Sequence, residues 1–167
     1  MNLAGADDLV ATFRDVMAGV CTPVSVVTAM DAARPHGTTV SAFASLSIDP
    51  PMILVSLDRG SDLLTLVRRG GDFGLNILAS GQAELALRFA RKGTDKFTDV
   101  DWAPSAGVPC LTGASGWVAC RVTGTVDGGD HTIVLGEVID AVATTHPPLT
   151  YHARAFGTHR PDEEKVR

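Results

Sequence analysis

Residues 115–126, SGWVACRVTGTV, and 131–143, HTIVLGEVIDAVA, are two long β-rich runs joined by Asp127-Gly128-Gly129-Asp130. Strand-like runs on either side of a short glycine-rich turn read as a hairpin. The earlier segments limit what can surround it. Asp7 or Asp8 can cap a short helix with Val10, Phe13 and Met17 on one face, and Gly19 ends it. TPVSVVTAM (22–30) is β-rich, DAARPHG reads as a turn, and TTVSAFASLS (38–47) reads as one strand stopped by Asp49-Pro50-Pro51. MILVSL (52–57) and FGLNIL (73–78) are buried strands, the second with Asn76 inside it. Ser61 caps a helix over DLLTLVRR, and Ser80 opens another over GQAELALRFARK. The stretch from Gly93 to Pro109 is loop-like, and LTYHARAF is a short final strand.

The order is therefore helix, three strands, helix, strand, helix, loop, hairpin, strand. A regular βαβ alternation is absent, so a doubly wound parallel sheet does not fit. A mainly β, antiparallel barrel with helices packed outside does. We expect one domain over residues 1–160 and a frayed tail over 161–167.

The chain has 167 residues, enough for a single domain with a real core. Its net charge of -5 carries no basic run, which argues against nucleic acid. No stretch has the ~18 apolar residues of a membrane span. Cys21, Cys110 and Cys120 are odd in number and lack C-x-x-C spacing, which points to a reducing cytosol rather than a disulfide framework or a cysteine zinc site.

The TTVSAFASLS segment shows two parities. Val40, Ala42, Ala44 and Leu46 share one side, followed by Ile48; Thr39, Ser41, Phe43, Ser45 and Ser47 share the other. A row of short hydroxyls around one aromatic ring suits an oxygen-rich ligand lying close to the backbone.

Other chemistry is sparse. There is no G-x-G-x-x-G after a strand, no P-loop, no G-x-S-x-G and no H-E-x-x-H. The five histidines are scattered, and no metal site is expected. Asp130-His131 enters a long strand from a tight turn, where an imidazole can stack on a flat ring or bond a carboxamide, with Asp130 fixing its tautomer. Asn76 either satisfies a strand edge or reaches a heterocycle. Lys96 and Phe97 offer a cation and a ring, or a solvated lysine and a loop anchor. Ser61 is a helix cap or part of an anion site.

Taken together, FRDVMAGVCTPVSVVTA, HGTTVSAFASLSIDPPMILVSL, GDFGLNIL, FARKGTDKF, the tryptophan of DVDW, GVPCL, GWVACRV, GGDHTIVLGEV and PPLTYHARAFG resemble the flavin reductase-like domain, in order and over roughly residues 12–157. This family supplies the short reductase component of two-component flavin-dependent monooxygenases. The S-x-S-x-D-P-P at 45–51 and the Gly-Asp-His at 129–131 are its most specific parts here.

The resemblance implies an antiparallel split β-barrel of the FMN-binding type, Greek-key-like and homodimeric; the cysteine usage above gives the cytoplasm as its location. It implies that NADH or NADPH reduces FMN or FAD, which then leaves for a partner oxygenase. By resemblance, Thr39, Val40, Ser41, Ala42, Phe43, Ala44, Ser45 and Ser47 cradle the flavin, with Ser61, Asp62 and Leu63 near the phosphate. Asn76 lies close to the ring or its support, Lys96 and Phe97 close one side, and Asp130 and His131 meet the nicotinamide. Hydride transfer between two cofactors needs alignment and charge stabilisation rather than a protein nucleophile, so the missing motifs are consistent with it. The alternative is a split-barrel module that holds flavin, deazaflavin or another cofactor without turnover. No arginine is clearly placed for a 2′-phosphate, which tilts the donor to NADH; FMN against FAD stays open.

Overall fold

The computed structural model describes residues 6–93 and 95–162; most of the expected tail, 163–167, lies outside them. In chain order the elements are α1 (Ala6–Ala18), β1 (Thr22–Pro23), β2 (Ser25–Asp31), β3 (Arg34–Val40), β4 (Phe43–Ile48), β5 (Pro51–Asp58), α2 (Asp62–Arg68), β6 (Phe73–Ile77), α3 (Ala83–Ala90), β7 (Trp102–Ser105), β8 (Val108–Leu111), β9 (Gly116–Gly128), β10 (His131–Ala143), β11 (Leu149–His152) and β12 (Ala155–Thr158).

The long hairpin expected from sequence is β9–β10, antiparallel from His131↔Gly128 to Ala143↔Gly116. It is the middle of a seven-stranded sheet ordered β3-β2-β6-β9-β10-β5-β4. Every ladder in this sheet is antiparallel. Its two edges, β3 and β4, are consecutive in the chain and joined only by Ser41-Ala42. Two residues span less than about 8 Å, so the far edges must meet and the sheet must roll up. The rolled sheet is closed by a covalent seam instead of a last row of ladder bonds. Ser56 N–H donates to Ala42 O at 2.9 Å and carries the β4–β5 pairing into that seam.

Alternation along β5 and β10 fills the interior. Ile53, Val55 and Leu57 point inward and pair with Gly136, Val134 and Thr132. Phe73 and Leu75 of β6 join them, and α2 inserts Leu63, Leu64 and Val67 into the same core. A second core forms outside, where Ala86 and Phe89 of α3 pack on Val24 and Val26 with Leu78, Leu111 and Leu149. Gly37 permits this approach: a Cβ there would lie 2.9 Å from the Phe89 ring.

Five sequence expectations are corrected. Ser80 does not cap the third helix, which runs over Ala83–Ala90 with Gln82 at its N-cap position. DAARPHG is not all turn; the reversal is Ala32-Ala33, with Ala32 at φ 52°, and Arg34–Gly37 already belong to β3. TTVSAFASLS is not one strand, since it breaks at Ser41-Ala42 and bulges at Leu46, between Ser45↔Ile53 and Ser47↔Met52. The 93–109 loop contains β7, which pairs with β8. LTYHARAF is a hairpin, β11–β12, turning at Ala153-Arg154 with both φ positive.

Candidate functional site

A cleft of about 400 Å³ opens where three segments meet: Pro35–Thr38 at the start of β3, the β5–α2 turn from Asp58 to Leu63, and the chain from Ala90 to Phe97 that follows α3. Its size suits a small organic ligand. Of the expected residues, Ser61, Asp62, Leu63, Lys96 and Phe97 line it. The turn is shaped by Asp58, whose Oδ1 accepts the Gly60 N–H at 2.7 Å, and by the Ser61 N–H donating to Asp58 O. Ser61 occupies the N-cap position of α2 yet makes no side-chain capping bond. Its hydroxyl is available to a ligand. Leu63 is 3% exposed and belongs to the barrel core, so it anchors α2 as well as lining the cleft.

Lys96 is held from two sides. Its Nζ donates to Gly37 O at 3.1 Å and to Phe89 O at 3.0 Å, tying β3 to the end of α3. Three N–H donors on an ammonium leave one for a ligand. Burial lowers its pKa, opposed by the charge of Asp62. Phe97 meets Phe89 edge-on at 4.9 Å and Trp102 at 5.6 Å, so its ring is fixed by the outer core.

The 39–47 segment does not present one hydroxyl face. Thr39 Oγ1 donates to Ala86 O at 2.6 Å, bonding β3 to α3. Val40 is buried, and its carbonyl accepts from Ser25 Oγ. Ser41 and Ala42 form the exposed seam. Phe43 packs against the barrel core. Phe43 and Ser45 pair with Val55 and Ile53 on the inner side of β5, whereas Ala44 and Ser47 pair with Leu54 and Met52 on the outer side. The Leu46 bulge shifts the parity by one, which separates Ser45 from Ser47. The apolar face expected from Val40 to Ile48 is likewise split: Val40 is buried, but Leu46 is 45% and Ile48 84% exposed.

Asn76 lies away from the cleft. It is fully buried; its Nδ2 donates to Val26 O and Thr28 Oγ1, and its Oδ1 accepts the Leu111 N–H at 2.7 Å. Its amide joins β2, β6 and β8 and has no exposed atom to offer a ring.

Asp130 and His131 are adjacent to the cleft and do not line it. His131 is the cross-strand neighbour of Asp58, which does line it, and the Arg59 N–H donates to Asp130 O at 3.0 Å. A strand spacing of about 4.8 Å separates the two positions. His131 Nδ1 lies 2.8 Å from Asp130 Oδ1. The hydrogen bond from His131 is the main reason that the Asp130 pKa is lowered, helped by the charges of His131 and Arg59.

Sequence reasoning missed ten of the fifteen lining residues, among them three with side chains suited to a ligand, His36, Arg91 and Lys92. His36 has its Nε2 buried without a hydrogen-bond partner among the described residues, and Arg91 and Lys92 flank Lys96. The basic cluster of FARKGTDK was the available signal for the last two. Among the described residues, no group of three histidine, cysteine or acidic side chains is placed to hold a metal.

Known proteins share this sequence pattern and fold. The chain is 40% identical over 147 residues to the reductase component of 4-nitrophenol 4-monooxygenase/4-nitrocatechol 2-monooxygenase from Rhodococcus opacus, covering 88% of this chain and 80% of that one. It is 36% identical over 170 residues to an NADH:riboflavin 5′-phosphate oxidoreductase of Streptomyces pristinaespiralis, covering 95% and 97%. The structure of an NADH:FAD oxidoreductase from Streptomyces globisporus, with NAD and FAD fragments, superposes with a TM-score of 0.88 at 30% identity, covering 98% of this chain and 100% of that one. The flavin reductase-like domain pattern matches residues 17–160. With that match across the rolled antiparallel sheet and its cleft, the chain belongs to the flavin reductase-like domain family.

Proposed function

We propose that the chain is an NAD(P)H:flavin oxidoreductase that reduces FMN or FAD and releases it to a separate oxygenase. The observation that carries this reading is the cleft shared by Lys96, with one N–H to spare, and Ser61, with an unbonded hydroxyl. An ammonium and a hydroxyl converging on a cleft of this size suit the phosphate end of a flavin. A relative of 40% identity is itself named as a monooxygenase reductase component, which supports the partner oxygenase.

Flavin and nicotinamide supply the hydride chemistry when bound. The chain's work is to hold them. Lys96 and Ser61 bind the phosphate, and the outward-facing Ser47 and the seam at Ser41-Ala42 offer polar groups to the rest of the flavin. The His131 Nδ1–H donates to Asp130, which leaves Nε2 to accept a hydrogen bond from the nicotinamide carboxamide. Phe97, locked by Phe89 and Trp102, excludes water from one wall.

The working unit in this reading is a homodimer. Leu9, Phe13, Val16 and Val20 are exposed along one side of α1 and its end, and Leu46, Ile48, Val126 and Val142 add exposed apolar surface on β4, β9 and β10. A second copy would cover them, and light scattering should then give twice the 17.4 kDa chain mass. Three free thiols suit the reducing cytoplasm that this reading assigns, and no helix among the described residues is long and apolar enough to cross a membrane.

The test is steady-state oxidation of NADH and NADPH with and without added FMN or FAD. Turnover that rises and saturates with free flavin supports the reading. Tight flavin binding with no turnover from either donor overturns it in favour of a module that holds its cofactor.

A further inference from the structure

The cleft does not end at Lys96. A second, more open depression adjoins it, lined by Arg88, Arg91, Lys92, Lys96, Asp95 and Asp99, with Gly93 and Thr98. Arg91, Lys92, Gly93 and Lys96 line both, so the two lie side by side along this segment. Four cations face two carboxylates along the outer part, in a chain whose net charge is -5. Asp58 and Asp62 also line the inner cleft, from the β5–α2 turn.

The state of these cations is informative. Lys96 is tied to two carbonyls, and the Arg88 guanidinium donates to Thr98 O. The side chains of Arg91 and Lys92 are exposed and make no hydrogen bond or ion pair with any described residue. Basic residues at a helix C-terminus normally answer the helix dipole, but that end carries only about half a unit of negative charge. Lys96 already donates to the Phe89 carbonyl in that last turn. Arg91 and Lys92 are left over. Gly93, at φ 124°, adds no side chain between the two depressions, and a Cβ built on it would meet nothing within 4 Å among the described residues.

A flavin mononucleotide ends at its one phosphate, which the inner cleft satisfies. We propose that the preferred flavin is the dinucleotide, FAD, whose second phosphate meets Arg91 and Lys92 and whose adenosine half lies along the ledge, with Asp95 and Asp99 as acceptors for its hydroxyls. This rests on reading the inner cleft as the flavin-phosphate site. A merely attractive field would not choose between the two ligands, because the FMN phosphate and the FAD pyrophosphate carry similar charge, about -2 at neutral pH. Discrimination requires placed contacts.

The experiment is fluorescence titration of the full chain with FMN and with FAD, repeated on the double variant R91A/K92A. The expected result is that wild type binds FAD at least tenfold more tightly than FMN. In the variant the FAD dissociation constant rises at least tenfold more than the FMN constant, and the preference is lost. Wild type that binds FMN as tightly as FAD overturns the inference and leaves the inner site standing. So does a variant that weakens both flavins by the same factor, or neither. Wild type that binds neither flavin overturns the reading of the inner cleft, and the inference falls with it. Both substituted side chains are exposed and unpaired, so folding is not at stake, and circular dichroism of the variant checks this.

Discussion

The Lys96 ammonium donates to the carbonyl oxygen of Gly37 at 3.1 Å, so the cation that faces the cleft is also part of the cleft's frame. Burial lowers its pKa from 10.5, with Asp62 opposing. A folded-state pKa below the unfolded one places its stabilising contribution above pH 10.5, diminishing as pH falls through the lowered value. Anion binding runs the other way, because it needs the proton. Flavin affinity should therefore fall as pH rises through a value below 10.5. Lys96→Arg, which stays charged, should lose that alkaline limb. Lys96→Met should weaken flavin binding by roughly tenfold or more at neutral pH, as expected for one charge-assisted hydrogen bond of about 1.5–3 kcal/mol. Flavin titrations across pH check all three, and a wild-type profile flat beyond pH 10.5 would remove Lys96 from the phosphate.

His131 and Asp130 allow a test of division of labour. His131→Ala should slow NADH oxidation roughly tenfold or more while flavin binding changes little, since the ring meets the nicotinamide in this reading. Asp130→Asn should give a smaller loss of the same kind, because the Nδ1–H then loses its charged acceptor. The pair's own pH dependence follows from the lowered Asp130 pKa: its support of the hairpin is present above the ordinary carboxylate value and lost as pH falls through the lowered one. Collapse of flavin affinity in His131→Ala, with normal turnover of the flavin that remains bound, would show that His131 serves the flavin site.

The sequence carried the long hairpin, the buried strands and the helix sites because each rests on local periodicity. It did not carry the parity of TTVSAFASLS. A strand pattern assumes unbroken alternation, whereas the roll of the sheet places a seam at Ser41-Ala42 and the pairing with β5 places a bulge at Leu46. Those are tertiary demands with no local signature in this stretch. Ser61, Lys96 and Phe97 are legible as candidates because each residue type at its position suits either a structural or a ligand-binding role, and the cleft brings the three together. Asn76 was equally ambiguous, and only the arrival of β8 against β6 shows where its amide is used.

Asn76→Ala should therefore act on stability. It strands the Leu111 N–H in the interior, a loss of about 1–3 kcal/mol. Urea denaturation should report that loss, and the folded fraction should bind flavin with unchanged affinity. A variant that folds as stably as wild type but binds flavin poorly would return Asn76 to the site.

Gly136 tests how tightly the barrel is filled. It faces inward from β10, opposite Ile53, and a Cβ built on it would lie 2.6 Å and 2.7 Å from two atoms of the Phe73 ring and 2.8 Å from Cys120 Cβ. Phe73 and Cys120 are both fully buried and oppose each other across the β6–β9 ladder, so neither has open solvent to yield into. Gly136→Ala should cost about 1–3 kcal/mol through overpacking. Gly81→Ala, where nothing lies within 4 Å of the added carbon, should be close to neutral. If the clash with Phe73 is the cause, Phe73→Leu should destabilise the wild type but cost much less in the Gly136→Ala background, and the coupling in that double-mutant cycle measures the contact directly. Additive effects in the cycle would mean that strand β10 shifts as a body to accept the methyl group, and that the interior is less tightly filled than the Gly136–Phe73 approach implies.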